Sequence, residues 1–187
     1  MGRYHYDKKT TVQECRSLWA SSFHKWGVFK PNVGYASGGV EWKNAQGEVT
    51  SSIGYSFSQQ PTPRLTLFYT LTRSATGEKQ DCRYDIELAT TPCRYGGLRY
   101  WFICPLVKNS YPCRRRVAKL YLPGGGTYYG CRHCYNLTYE SCQEHDARVD
   151  RLAKNPELLA QMLNSKNPMA SLVALKAAFK LKGYPGF

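Results

Sequence analysis

Hydrophobic and polar positions alternate along the middle of the chain. Apolar residues occupy every second position in four runs, at 40–42, 53–57, 65–71 and 82–88. Turn-forming residues separate these runs, at 44–47, 61–63 and 74–79. Alternation of this kind with a turn at each junction predicts an antiparallel β-meander over residues 38–90, with one face buried and the other polar.

A helical pattern precedes the meander. Thr11 and Glu14 have the spacing of a capping box, which predicts a helix that begins at Thr11 and ends near Trp19. A second short helix is predicted over residues 21–26, with a serine as its cap. The two helices could form a helix-turn-helix or a lid on the sheet, and the shortness of the second favours the lid.

Helical patterns return after residue 137. Residues from 138 to about 154 have helical character, and the pairs Asn155–Pro156 and Asn167–Pro168 each predict the start of a further helix. The last helix has an apolar stripe made of Met169, Leu172, Val173, Leu175 and Phe179. We expect this stripe to dock on the body of the protein or on a second subunit, and not in a membrane.

The composition is that of a folded protein, with 42% hydrophobic and 14% aromatic residues among 187. This length allows one ordinary domain or two small ones. The chain has no apolar run long enough to span a membrane, and its first residues lack the hydrophobic region of a signal peptide. We therefore expect a soluble, cytoplasmic protein.

The charge is strongly positive and unevenly distributed. The 26 lysines and arginines exceed the 13 acids and give a net charge of +13, which predicts attraction to a polyanion. No carboxylate lies between Glu87 and Glu140, although residues 94–136 contain eight basic side chains. Because a generic soluble surface mixes both signs, this segment indicates contact with a negative partner. Association with the nucleoid would fit.

Of the five cysteines in this acid-free segment, four follow the pattern C-x8-C-x17-C-x2-C: Cys104, Cys113, Cys131 and Cys134. Without a secretory signal, metal binding is a better interpretation than disulfides. Cys131 and Cys134, preceded by Gly130, form a knuckle that can chelate a tetrahedral ion. Sulfur ligands favour Zn²⁺ over Mg²⁺ or Ca²⁺. The pattern therefore predicts a zinc ribbon.

The first cysteine pair departs from the usual ribbon spacing. Eight residues separate Cys104 from Cys113, so this loop must bulge outward, and its prolines with Asn109 and Ser110 supply the turn chemistry. Strands are predicted on either side of it, at 98–103 and 115–122. The set Cys131, Cys134, Cys142 and His145 stays open as an alternative site.

The remaining cysteines have simpler interpretations. Cys82 alternates with apolar residues on a predicted strand and is expected to be a core thiol. Cys15 lies in a helical pattern and is expected to be buried as well. Cys93 could be buried or could lie as a spare thiol near the metal.

Several segments together resemble a known group of proteins. They are 91–105 (TPCRYGGLRYWFICP), 113–123 (CRRRVAKLYLP), 129–139 (YGCRHCYNLTY) and the opening 10–18 (TTVQECRSL). They resemble a family of uncharacterised bacterial zinc-ribbon proteins, over most of residues 1–145. This resemblance implies a bacterial cytosolic protein with a zinc ribbon after a small β domain, and it implies no activity. More loosely, the ribbon is similar to those of transposon-encoded and transcription-associated proteins, which bind nucleic acid.

Basic and planar side chains surround the predicted metal site. The cations are Lys108, Arg114, Arg115, Arg116, Lys119 and Arg132, and the planar groups are Tyr128, Tyr129 and His133. Cations at this density suit phosphate contact, and planar rings among them suit stacking on exposed bases. We expect DNA or RNA binding with little sequence specificity, and we expect Tyr121 and Trp101 to be core residues.

Two other functions stay open. The ribbon and the C-terminal helix could serve as an adaptor that binds another protein. Asp146 and Asp150 could hold Mg²⁺ in a nuclease, although charges at this spacing among arginines are more typical of a solvated helix face. A metal with four protein ligands has no open position for water, so we expect no enzymatic activity at the cysteines.

The sequence as a whole predicts an α+β fold in three parts. Residues 1–92 comprise N-terminal helices and a small antiparallel β-meander. Residues 93–137 form the zinc-ribbon hairpin, and residues 138–187 form a C-terminal helical tail.

Overall fold

The computed structural model describes residues 8–73 and 77–182, which form two compact units that divide between Thr138 and Tyr139. In chain order the first unit contains β1 (Arg16–Trp19), α1 (Ala20–Lys25), β2 (Tyr35–Lys43), β3 (Val49–Ser58), β4 (Arg64–Thr72), β5 (Lys79–Pro92), β6 (Leu98–Ile103), β7 (Val107–Lys108), β8 (Tyr111–Pro112), β9 (Arg116–Val117) and β10 (Lys119–Leu122).

A curled antiparallel sheet of six strands dominates this unit, in the order β2-β3-β4-β5-β6-β9. Strands β2 to β6 are neighbours in sequence, so the predicted antiparallel sheet is confirmed, and β6 spans the predicted residues. The predicted turn at 74–79 lies partly outside the described residues. Two smaller pairs, β1 with β10 and β7 with β8, complete the strands.

One face of the sheet is covered by an aromatic core. The alternating positions that the sequence marks as apolar are buried or half-buried, with Phe57, Leu65 and Ile86 fully inaccessible. Helix α1 contributes Phe23, whose ring centroid lies 5.0 Å from that of Phe29 and 5.0 Å from that of Tyr55. The short helix thus packs on the sheet, as expected of a lid.

The predicted helix from Thr11 to Trp19 is wrong. Half of its capping box does form, because the backbone N–H of Thr11 donates to Glu14 Oε2 at 2.7 Å. The chain then makes a single turn and enters β1, where Leu18 is buried opposite Leu120 of β10. Pairing with a distant strand outweighs the local helical signal. Between residues 8 and 34 the structure therefore has one helix, and no helix-turn-helix is formed there.

The single strand predicted from Arg115 to Leu122 is divided in two. Strand β9 pairs with β6, whereas β10 pairs with β1. Between them, the carbonyl of Ala118 accepts a hydrogen bond from the N–H of Ala20 at 3.0 Å. The chain changes sheets at this residue, which alternation alone does not reveal.

The second unit is helical, with α2 (Glu140–Glu144), α3 (Ala147–Ala153), α4 (Pro156–Leu163) and α5 (Pro168–Leu181). The predicted C-terminal helices are confirmed, and the side chains of Asn155 and Asn167 cap α4 and α5. The helical character predicted from 138 to about 154 is confirmed, and it is divided between α2 and α3 because Asp146 begins a new helix by accepting the N–H of Arg148 at 2.9 Å.

Helix α5 packs in its own unit through small residues. Ala174 and Ala177 are buried with Val149 and Leu152 of α3. Much of the predicted apolar stripe is exposed instead, including Met169, Leu172 and Leu175. None of the helices in the described ranges has both the length and the apolar character required to cross a membrane.

Candidate metal centre

Two loops of the first unit bring four cysteines together. Cys104 directly follows β6, and Cys113 directly follows β8. Cys131 and Cys134 come after a β-bridge between Tyr121 and Gly130, which connects their loop to β10. Each pair therefore sits where a strand or bridge ends, and the sheet places the two loops side by side.

The four sulfur atoms lie within 4.8 Å of one another. Cys104 Sγ is 3.9 Å from Cys134 Sγ, and Cys113 Sγ is 3.8 Å from Cys131 Sγ. Sulfurs bound at about 2.3 Å to one tetrahedral zinc ion would be about 3.8 Å apart, whereas a disulfide needs about 2.05 Å. The cluster could therefore hold a metal ion, and its spacing is not that of disulfides.

The long loop between the first two cysteines is an ordered hairpin. Strands β7 and β8 are joined by two residues with positive φ, Asn109 at 51° and Ser110 at 67°. This is the backbone of a tight type I′ hairpin turn. The N–H of Cys113 then donates to the carbonyl of Leu106 at 2.8 Å. The eight residues thus fold back on themselves and return Cys113 to Cys104.

Close packing between the two loops depends on Gly130. A Cβ atom at this position would lie 2.0 Å from Leu106 Cδ1 and 2.7 Å from Leu106 Cγ. The absence of a side chain at Gly130 lets Leu106 lie directly on the backbone before Cys131. This contact joins the hairpin to the knuckle.

Backbone N–H groups support the sulfurs. The N–H of Cys131 donates to Cys104 Sγ at 3.2 Å, and that of Cys134 donates to Cys131 Sγ at 3.4 Å. The thiol of Cys104 lowers the pKa of Cys131 to about 4 by hydrogen bonding, whereas burial raises the pKa of Cys134 to about 12. Because cysteine coordinates a metal as the thiolate, binding of an ion at this cluster would release protons.

The remaining cysteines are not members of this cluster. Cys82 is a buried core thiol, as predicted, and Cys15 is buried beside Tyr121, although in a turn and not in a helix. Cys93 is exposed in the turn between β5 and β6. Cys142 is exposed in the helical unit, where His145 Nε2 instead lies 2.9 Å from Asp150 Oδ2.

The predicted nucleic-acid ligands have different environments. Lys108, Arg115 and His133 are exposed, and Arg132 is half-buried. Arg114 is exposed, but both terminal nitrogens donate to Glu87, the closer contact at 2.7 Å.

Two of these cations lie against tryptophan rings. Arg116 Cζ lies 5.4 Å from the ring centre of Trp101, and Lys119 Nζ lies 3.4 Å from that of Trp19.

The two tyrosines of this group differ sharply. Tyr128 is exposed, whereas the side chain of Tyr129 is fully buried and cannot stack on a base. Its ring packs against Tyr69, with the centroids 5.9 Å apart, and its N–H donates to Tyr84 Oη. The prediction that Tyr129 contacts nucleic acid is therefore wrong, because this residue belongs to the core.

Trp101 also differs from the prediction. Tyr121 is a core residue, as expected, but Trp101 is half-exposed on the outer face of β6, where Arg99 Cζ lies 4.0 Å above its ring. The alternation of Arg99 and Trp101 with the buried residues Tyr100 and Phe102 was the signal that could have found this pair.

Comparison of the chain with family models, with curated proteins and with solved structures finds no significant match.

Proposed function

We propose that Cys104, Cys113, Cys131 and Cys134 hold one Zn²⁺ ion, and that the basic surface around it binds nucleic acid. The main support is the convergence of four thiols within 4.8 Å in a segment that lacks carboxylates. An all-sulfur tetrahedral set favours zinc over harder cations. The resemblance to bacterial zinc-ribbon proteins agrees with this proposal.

The zinc would have a structural role. Four protein ligands leave no coordination position for an activated water, which a catalytic zinc requires. The cation would instead hold the hairpin of 105–112 against the knuckle, and with it the side chains that the two loops present. Asp146 and Asp150 do not favour a nuclease, because Arg148 pairs with the first and Lys180 with the second.

Metal analysis tests the zinc centre. We expect one zinc per chain in protein purified without added metal, measured by elemental analysis. Cys113→Ser should lose most of it, because it removes one of four ligands. Cys93→Ser is the matched control, since this exposed thiol lies outside the cluster and the variant should keep its zinc. Equal zinc in both variants, or none in the wild type, would refute the proposed centre.

Salt dependence tests the nucleic-acid surface. Each phosphate contact contributes about 0.9 to the slope of log affinity against log salt on duplex DNA. We expect the double variant Lys108→Gln/Arg115→Gln to lower that slope by about 2 if both side chains contact phosphates. The double variant Lys43→Gln/Lys79→Gln removes the same charge from the meander and should leave the slope nearly unchanged. Equal effects would place the contacts elsewhere, and absence of binding to DNA and RNA would refute this function.

An adaptor function has separate support. Met169, Leu172, Leu175 and Leu181 of α5 are exposed apolar residues, and exposed apolar patches are typical of protein interfaces. A purified protein that binds the wild type directly, but not Leu172→Asp/Leu175→Asp, would establish this role. Zinc content and nucleic-acid affinity should be unchanged in that variant. If the variant binds the partner protein as tightly as the wild type does, α5 has no role in this interaction.

A further inference from the structure

A cavity of about 420 Å³ lies in the first unit where α1, β6 and β10 meet. Among the residues that line it are Trp19, His24, Cys93, Arg99, Tyr100 and Lys119. Ligand pockets in proteins have volumes of about 300 to 1,000 Å³, so this one is large enough for a nucleotide-sized molecule. None of the described residues that line it is acidic, and two are permanently cationic.

The first cation, Lys119, is held by Trp19. These residues are direct partners in the pairing of β10 with β1, and Lys119 Nζ lies 3.4 Å from the centre of the indole ring. The ring is itself fixed, because Trp19 Nε1 donates to Ser17 Oγ at 2.9 Å. The indole holds the ammonium group through a cation–π contact, and no carboxylate within residues 8–73 and 77–182 forms an ion pair with Lys119.

The second cation, Arg99, is held in the same way by Trp101. Its Cζ lies 4.0 Å from the ring centre, and Trp101 Nε1 donates to Thr91 Oγ1 at 2.9 Å. A guanidinium group that packs through its flat face keeps its in-plane N–H donors available. In the part of the chain that the structure describes, no carboxylate pairs with Arg99, whereas Arg114 donates to Glu87.

We propose that this cavity binds one nucleotide of a single-stranded nucleic acid, with Arg99 and Lys119 contacting its phosphate and its base entering the cavity. The proposal rests on the proposed nucleic-acid function and specifies its substrate. Uncompensated cations on tryptophan rings, beside a cavity without acids, complement a phosphate and a planar base. Paired bases stay stacked inside a duplex, so a duplex could reach the cations but could not fill the cavity.

The test compares a single strand with a duplex of the same sequence. A labelled oligonucleotide is titrated in both forms with zinc-loaded full-length protein, followed by fluorescence anisotropy. Arg99→Gln and Lys119→Gln each remove one cation of the cavity. Arg115→Gln removes the same charge from the surface beside the cysteine cluster and serves as the matched control. Thermal unfolding and zinc content show whether each variant is folded.

We expect Arg99→Gln and Lys119→Gln each to lower affinity for the single strand about tenfold, because each loses a charge-assisted contact. Each should lower affinity for the duplex at most about threefold. Arg115→Gln should lower both affinities by a similar factor. If the cavity variants weaken both forms equally, or neither, the cavity proposal is overturned while the proposed function stands. If the wild type binds neither form, the proposed function fails and the cavity proposal fails with it.

Discussion

Substitution of Gly130 by alanine should weaken the metal centre without touching a ligand. The added Cβ would lie 2.0 Å from Leu106 Cδ1 and 2.7 Å from Leu106 Cγ, far inside van der Waals contact. Rotation about the Cβ–Cγ bond of Leu106 would move Cδ1 but not Cγ, which is also too close to the added Cβ. If the hairpin that carries Cys113 moves away from the knuckle to relieve this overlap, the two sulfur pairs separate.

The size of the effect follows from this overlap. One excess methyl group in a packed site costs about 1–3 kcal/mol. If that strain is relieved in the metal-free state, zinc affinity should fall by about 5- to 150-fold. Competition with a chelator of known zinc affinity, at fixed pH, measures this change. Zinc binding as tight in Gly130→Ala as in the wild type would refute the packing argument.

Two controls separate a steric effect from a general loss of stability. Leu106→Ala removes both crowded atoms, so Gly130→Ala should cause little further loss of zinc affinity in that background. Gly39→Ala adds the same methyl group to β2, where the nearest atom outside the adjoining residues, the carbonyl oxygen of Ile53, is 3.5 Å away. It should leave zinc affinity unchanged, and a loss equal to that of Gly130→Ala would contradict the steric explanation.

Three further predictions concern the metal, the charge and the pH. Removal of metal by a chelator should lower the melting temperature, because folding and binding are coupled at thiolate sites, and an unchanged melting curve would contradict this. Glu87→Gln removes a negative charge and frees Arg114 to contact phosphate, so it should raise DNA affinity several-fold at low salt. The same anisotropy assay measures this change, and a lower affinity than that of the wild type would contradict the prediction. Lys180 holds the pKa of Asp150 below its ordinary value of 3.8. The Asp150–Lys180 pair therefore stabilises the helical unit above pH 3.8, and this stabilisation is lost as the pH falls through the lowered pKa. Helical circular dichroism should show a smaller loss of stability on acidification in Asp150→Asn, and an equal loss would contradict the assignment.

The sequence by itself determined the elements whose signals are local. Alternation over 98–103 predicted β6 at its observed residues, because side chains on a strand point to opposite faces in turn. Asn155 and Asn167 predicted the starts of α4 and α5, because each caps backbone N–H groups within three residues of itself. Spacing also selected the four cysteines that converge, since two thiols three positions apart can chelate one ion.

Tertiary structure decided what depends on distant partners. Residues 16–19 have a helical signal but form a strand, because β10 supplies hydrogen bonds and covers Leu18. Tyr129 is adjacent to the exposed Tyr128 in sequence, yet it is fully buried against the sheet. Neither outcome follows from local pattern, because non-local pairing and packing contribute more free energy than the propensities of a few residues.

The same distinction holds for the charges. Composition predicted a basic, acid-poor segment, but it did not show which cations are neutralised. The fold pairs Arg114 with Glu87, while it sets Arg99 and Lys119 on tryptophan rings beside a cavity. Lys119 meets Trp19 only through the register of β10 with β1, and Arg114 meets Glu87 across 27 positions of sequence. Arg99 and Trp101, by contrast, share one face of β6 two positions apart, so local alternation was enough to place them together.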